Sequence, residues 1–124
     1  MDADTNTRIY NGSCHCGAIR YSFSSREITA GLRCNCSICR RKGAVMSTFT
    51  VAPEHLDIRA EADCLSAYQF GTGTAKHYFC KRCGIYTFHE TRRKPGYYRF
   101  NLGCIDGVDA FALSCEIVDG AAFN

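Results

Sequence analysis

Ten cysteines punctuate this chain of 124 residues, and seven of them fall into three short groups. The groups are Cys14-His15-Cys16-Gly17, Cys34-Asn35-Cys36-Ser37-Ile38-Cys39 and Cys80-Lys81-Arg82-Cys83-Gly84. In the third, two residues separate the thiols, so the chain can wrap around one metal ion. The glycine that follows permits a positive φ and a close backbone approach to the sulfurs. A redox C-x-x-C is the competing reading, but strand-like Ile85–His89 follows it and no strand–helix unit does. Such a half-site needs two more ligands. Cys14 and Cys16 supply them, because residues i and i+2 of an extended segment share a face while His15 points away. A structural zinc held by Cys14, Cys16, Cys80 and Cys83 would close a long loop and stabilise a thin core.

Cys34, Cys36 and Cys39 place three thiols within one turn of chain. Structural zinc sites normally have four protein ligands, whereas catalytic sites leave one position for water or substrate. Three ligands therefore lean toward chemistry. The alternative is that Cys104, Cys64, Cys115 or a histidine completes the site. Zinc with three thiolates carries a net negative charge, which makes it a poor Lewis acid. It can still hold a further thiol as thiolate, so a thiol substrate suits it better than a metal hydroxide. Seven thiolates and two zinc ions would lower the net charge by about three, which offsets the formal +3 of the apoprotein.

The elements that must position these groups are short. Ala18–Phe23, Val45–Val51, Leu65–Phe70, Ile85–His89 and Tyr97–Leu102 read as strands, and Gly71–Thr74 reads as a turn. Ser37–Lys42 suits one helical turn, and Pro53–Leu56 another short turn. Long amphipathic helices are absent from the pattern. A mass of 13.8 kDa suits one mostly-β domain over residues 1–124, with about residues 1–9 a flexible N-terminal segment. No apolar run reaches the roughly 18 residues of a membrane span. Met1–Arg8 is polar, without the apolar centre of a signal peptide. A cytoplasmic protein with reduced thiols is expected, which favours metal over disulfides. The pI near 8.3 is too mild to imply nucleic acid. Arg92–Arg99 is the one local approximation to a basic, aromatic nucleic-acid stripe, and its Arg92–Lys94 run reads as a solvated loop.

The three groups in this order resemble the glutathione-dependent formaldehyde-activating enzyme family, from about Gly12 to the end of the chain. Gly12–Gly17 is similar to the family's opening motif, Cys34–Arg40 to its central motif and Phe79–Gly84 to its third. Asn101–Asp106 is similar to the segment after that. The resemblance implies a β-tent of small coiled antiparallel sheets. It implies a structural zinc at Cys14, Cys16, Cys80 and Cys83, and a second, substrate-open zinc at Cys34, Cys36 and Cys39. The implied reaction is condensation of glutathione with formaldehyde to S-hydroxymethylglutathione, a carbon–sulfur lyase in reverse. Glutathione's carboxylates would need cations, and Arg40, Arg41 and Lys42 directly follow Cys39; a solvated turn that offsets the anionic zinc site is the alternative. His89 and Asp106 are candidates for the proton donor, and water serves equally. His15, His55 and His77 are expected to be partly exposed, and Cys64 and Cys115 to act as small apolar residues. Two other functions fit the cysteines: a zinc-stapled module binding protein or nucleic acid, and a thiol or metal sensor.

Overall fold

The computed structural model describes residues 7–70, 75–92 and 94–123. Ten strands form three small sheets. The first holds β1 (Thr7–Ser13), β2 (Ile19–Arg26) and β5 (Leu56–Ala60) in the order β1-β2-β5. The second holds β3 (Gly31–Cys34), β4 (Met46–Ser47) and β10 (Cys115–Val118) in the order β10-β3-β4. The third is a meander of β6 (Leu65–Tyr68), β7 (Lys76–Cys80), β8 (Tyr86–Glu90) and β9 (Tyr98–Phe100). The mostly-β expectation is met. Pairing is antiparallel except between β10 and β3, which run parallel. Among the described residues the one α-helix, α1, spans Ser37–Lys42, where the sequence placed a helical turn.

The core lies where aromatic residues of the first and third sheets meet. Phe23 of β2 stacks on Phe100 of β9 with centroids 4.0 Å apart, and Tyr21 meets Phe88 edge-on at 5.0 Å. Ile19, Phe23, Phe88, Phe100 and Leu102 are fully buried. Each such side chain contributes about 1.5–3 kcal/mol of burial. Isolated bridges from Met46 to Asn101 and from Val51 to Tyr98 tie the second and third sheets together.

Several elements differ from the sequence expectation for local reasons. Thr7, Arg8 and Ile9 of the segment expected to be flexible lie in a strand instead, paired with Arg26, Ser25 and Ser24. Val45–Val51 is a strand only at Met46–Ser47. The Ser47 hydroxyl donates to the Phe49 carbonyl at 2.8 Å and turns the chain away from the ladder. The strand ending near Leu102 stops at Phe100, because the Asn101 side chain accepts from the Gly103 N–H and caps a 3-10 turn over Leu102–Cys104. Pro53–His55 forms a 3-10 turn as expected. The expected turn at Gly71–Thr74 lies outside the described residues.

Candidate metal centres

The first cluster joins two hairpin ends. Cys14 and Cys16 follow β1, in the turn into β2, and Cys80 and Cys83 bracket the turn from β7 to β8. All four sulfurs lie within 4.8 Å of one another. Cys14 to Cys16 is 3.7 Å and Cys16 to Cys80 is 3.6 Å. A tetrahedron with zinc–sulfur bonds of about 2.3 Å has sulfur–sulfur edges of about 3.8 Å, so the four thiols fit one zinc. Backbone amides already point at the sulfurs: Ile19 N–H donates to Cys14 at 3.3 Å and Cys83 N–H to Cys80 at 3.5 Å. Gly84 turns out of the loop at φ +78°, the conformation for which a glycine was expected after C-x-x-C. The Cys83 thiol is pushed down to about 6. Desolvation opposes the shift, but N–H groups of Cys16 and Ile85 and the neighbouring thiols outweigh it. Cys16 is pushed up to about 11, because desolvation and the three other thiols override the Ala18 N–H that favours its thiolate. Without a cation the four sulfurs share protons; with a dication all four can be thiolates.

The second cluster is built by the end of β3 and the start of α1. Cys34 ends the strand, Cys36 is the N-cap and Cys39 sits in the first turn. The Cys36 sulfur accepts from the Cys39 N–H at 3.4 Å, and the Cys34 sulfur from the Cys36 N–H at 3.5 Å. The three sulfurs lie within 4.8 Å of one another, and among the described residues no further Cys, His, Asp or Glu joins them. Cys39 is pushed up to about 12 by burial and by its thiol neighbours, against the pull of Lys42. This donor set also suits zinc, with a fourth position left over.

The chain's last segment backs this cluster. Asn35 donates from its side chain to Asp119 at 2.9 Å and accepts from the Ala121 N–H at 2.9 Å. That clamp lays Gly120 against Cys34, so closely that a Cβ at Gly120 would collide with the Cys34 sulfur. Nothing in the sequence pattern pointed to Gly120, because its partner lies at the far end of the chain.

Sequence reasoning placed Lys42 among the cations after Cys39 but missed the wall of His77, Tyr86 and His89 around it. Lys42 is three residues after Cys39, on the same face of α1. Its ammonium lies 3.4 Å from His77 Nδ1 and 3.8 Å from the centre of the Tyr86 ring. Burial lowers the Lys42 pKa, while the Cys39, Cys36 and Cys34 sulfurs hold it up. His77 was expected to be partly exposed and is buried, at 7% exposure. Burial, then the Lys42 charge, pushes its pKa down to about 4, so the ring is neutral and Nδ1 can accept from Lys42. The Tyr86 hydroxyl bonds His89 Nδ1, and burial keeps His89 neutral too.

Other expected residues fall elsewhere. Arg40 and Arg41 are exposed on the outer side of α1, and Arg41 donates to the Ser37 carbonyl at 2.7 Å. His15, His55 and Arg92 are exposed, and Arg93 lies outside the described residues. Cys104 donates to the Tyr86 carbonyl at 3.6 Å and lies on the Cys14 and Cys83 side, so it does not complete the triad. Cys64 is buried in the core, and Cys115 hydrogen-bonds the Leu113 carbonyl. Asp106 lines a cleft of about 660 Å³ beside Cys14 and Cys16, with Arg20, Asp57 and Arg59, and is not with the triad.

A mostly-β chain with a four-sulfur cluster and a three-sulfur cluster defines a small protein with two cysteine groups that could each hold a metal ion. The family model described as glutathione-dependent formaldehyde-activating enzyme matches residues 9–119, and the chain belongs to that family. A Halomonas elongata protein named, provisionally, a glutathione-dependent formaldehyde-activating enzyme is 33% identical over 87 residues. That match covers 60% of this chain and 52% of the relative, so this chain spans about half of the curated relative's length. The crystal structure of a Rhodobacter sphaeroides protein superposes with a TM-score of 0.76 at 38% identity, covering 87% of this chain and 99% of the other. No helix among the described residues is long and apolar enough to cross a membrane.

Proposed function

We propose that this chain is a zinc-dependent enzyme that condenses glutathione with formaldehyde to S-hydroxymethylglutathione, the reverse of a carbon–sulfur lyase. Family membership supports the substrates. The observation that carries the chemistry is the triad of Cys34, Cys36 and Cys39, whose three sulfurs converge with no fourth ligand among the described residues. A zinc ion held there would keep a substrate thiol ionised at neutral pH. Cys14, Cys16, Cys80 and Cys83 would hold a second, structural zinc.

The chain's own residues contribute position and charge. The triad fixes where the sulfur sits, and Lys42 offsets the negative charge collected there. Arg40 and Arg41 follow Cys39 and are exposed, where their guanidinium groups can meet glutathione's carboxylates; Arg41 already donates one N–H to the Ser37 carbonyl. In the condensation the thiolate sulfur bonds to the formaldehyde carbon, the carbonyl π pair moves to oxygen, and that oxygen takes a proton. Water supplies the proton, because the His89 ring is neutral with Nδ1 engaged by the Tyr86 hydroxyl, and Asp106 lies at the other cluster. A cytoplasmic setting, with reduced thiols and abundant glutathione, suits this reaction.

The test is the rate of S-hydroxymethylglutathione formation by zinc-loaded protein above the uncatalysed rate. Cys36→Ser should lower that rate by at least about 100-fold. Full activity in Cys36→Ser, or no acceleration by the wild type with both sites loaded, would sink the reading.

A further inference from the structure

Lys42 is the cation turned toward the triad, and its surroundings hold it there. The Tyr86 ring lies beneath its ammonium at 3.8 Å, and neutral His77 accepts from it at 3.4 Å. Tyr86 is itself fixed by its hydroxyl bond to His89, and His77 packs between Phe70, at 6.1 Å, and His89, at 5.2 Å. Arg40 and Arg41, the neighbouring cations of α1, face solvent. Among the described residues, the anionic groups that act on Lys42 are the sulfurs of Cys39, Cys36 and Cys34.

We propose that Lys42 is a specificity residue that selects an anionic fourth ligand at the triad over a neutral one. This rests on the reading of the triad as a thiol-binding zinc site. Three thiolates and zinc carry a net negative charge, so a fourth thiolate meets repulsion. A fixed ammonium on the Cys39 face of α1, in a partly desolvated wall, offsets that repulsion for an anion and offers nothing to a neutral donor such as imidazole. The ligand class is therefore a thiol that ionises on binding, whatever the remainder of the molecule carries.

The experiment is calorimetric titration of zinc-loaded protein with 2-mercaptoethanol, with glutathione and with imidazole, in wild type, Lys42→Met, Lys42→Gln and Lys42→Arg. Zinc content is measured before and after each titration. The neutral variants should keep their zinc, bind 2-mercaptoethanol at least about tenfold more weakly, and bind imidazole as well as or better than the wild type. Lys42→Arg should keep the preference for thiol. Equal thiol affinity in the neutral variants overturns the inference, as does equal weakening of both ligand types. Loss of zinc from both neutral variants also overturns it, because Lys42 would then serve the metal cluster itself. Wild-type protein that binds thiols in this charge-dependent way but does not condense formaldehyde supports the inference while refuting the proposed reaction.

Discussion

At the residue scale, two side-chain environments make predictions of their own. Gly120 presses on Cys34 from the far end of the chain. Gly120→Ala should displace that sulfur and empty the triad, leaving the four-cysteine cluster intact. Elemental analysis should then read about one zinc per chain less than wild type. His77 makes a pH prediction. Its folded pKa is pushed down from 6.5 to about 4, so the unfolded chain takes the proton first. Stability from this group is complete above about pH 6.5, declines as pH falls, and is fully lost below about pH 4. His77→Asn keeps an acceptor for Lys42 but does not titrate there. Its urea midpoint should fall less than that of wild type between pH 7 and 4.5. Both proteins share the acid sensitivity of the thiolates, so the difference isolates His77. A parallel decline in the two would refute the assignment.

At the scale of elements, hairpins and a short helix set the geometry, and they differ in how far the sequence shows them. C-x-x-C-G is legible because its ligands, spacing and positive-φ glycine are all local. The C-x-C-x-x-C run on a strand end and one helical turn is legible for the same reason, as is α1 itself. The wall beside the triad is not. Tyr78 pairs with Phe88 but Phe79 pairs with Tyr86, so Thr87 is an extra residue in β8. That bulge brings Tyr86 and His89, three apart in a strand, onto one side. It also leaves Thr87 and Phe88 both buried in succession. Nothing in the alternation of Ile85–His89 announces a bulge. The parallel β10–β3 pair joins segments too distant in sequence for local pattern to match them. Lys42 was legible as one of three cations after Cys39, and its place three residues on in a helix sets it apart from Arg40 and Arg41, because that is the face of Cys39. The clusters should also differ in what their loss does. Cys83→Ser opens the link between two hairpins and should lower Tm by more than about 15 °C. Cys39→Ser leaves every strand in place and should lower it by less than about 5 °C.

At the scale of the whole molecule, one cluster staples sheets and the other is left open at the edge. The aromatic core of Phe23, Phe88 and Phe100 is small, and the two hairpins that carry it end in the Cys14–Cys83 cluster. Metal binding at such a cluster contributes on the order of 10 kcal/mol, so folding and metal uptake should be coupled. The triad sits outside that core, on β3 and α1, so a ligand taken up there would leave the four-cysteine cluster undisturbed. The division into a closed site and an open site is the central claim. Its most direct test is zinc per chain in protein purified without chelator, for wild type and Cys36→Ser. The account predicts about two for wild type and about one for the variant. About one in both would mean that the triad holds no zinc, and would contradict the account.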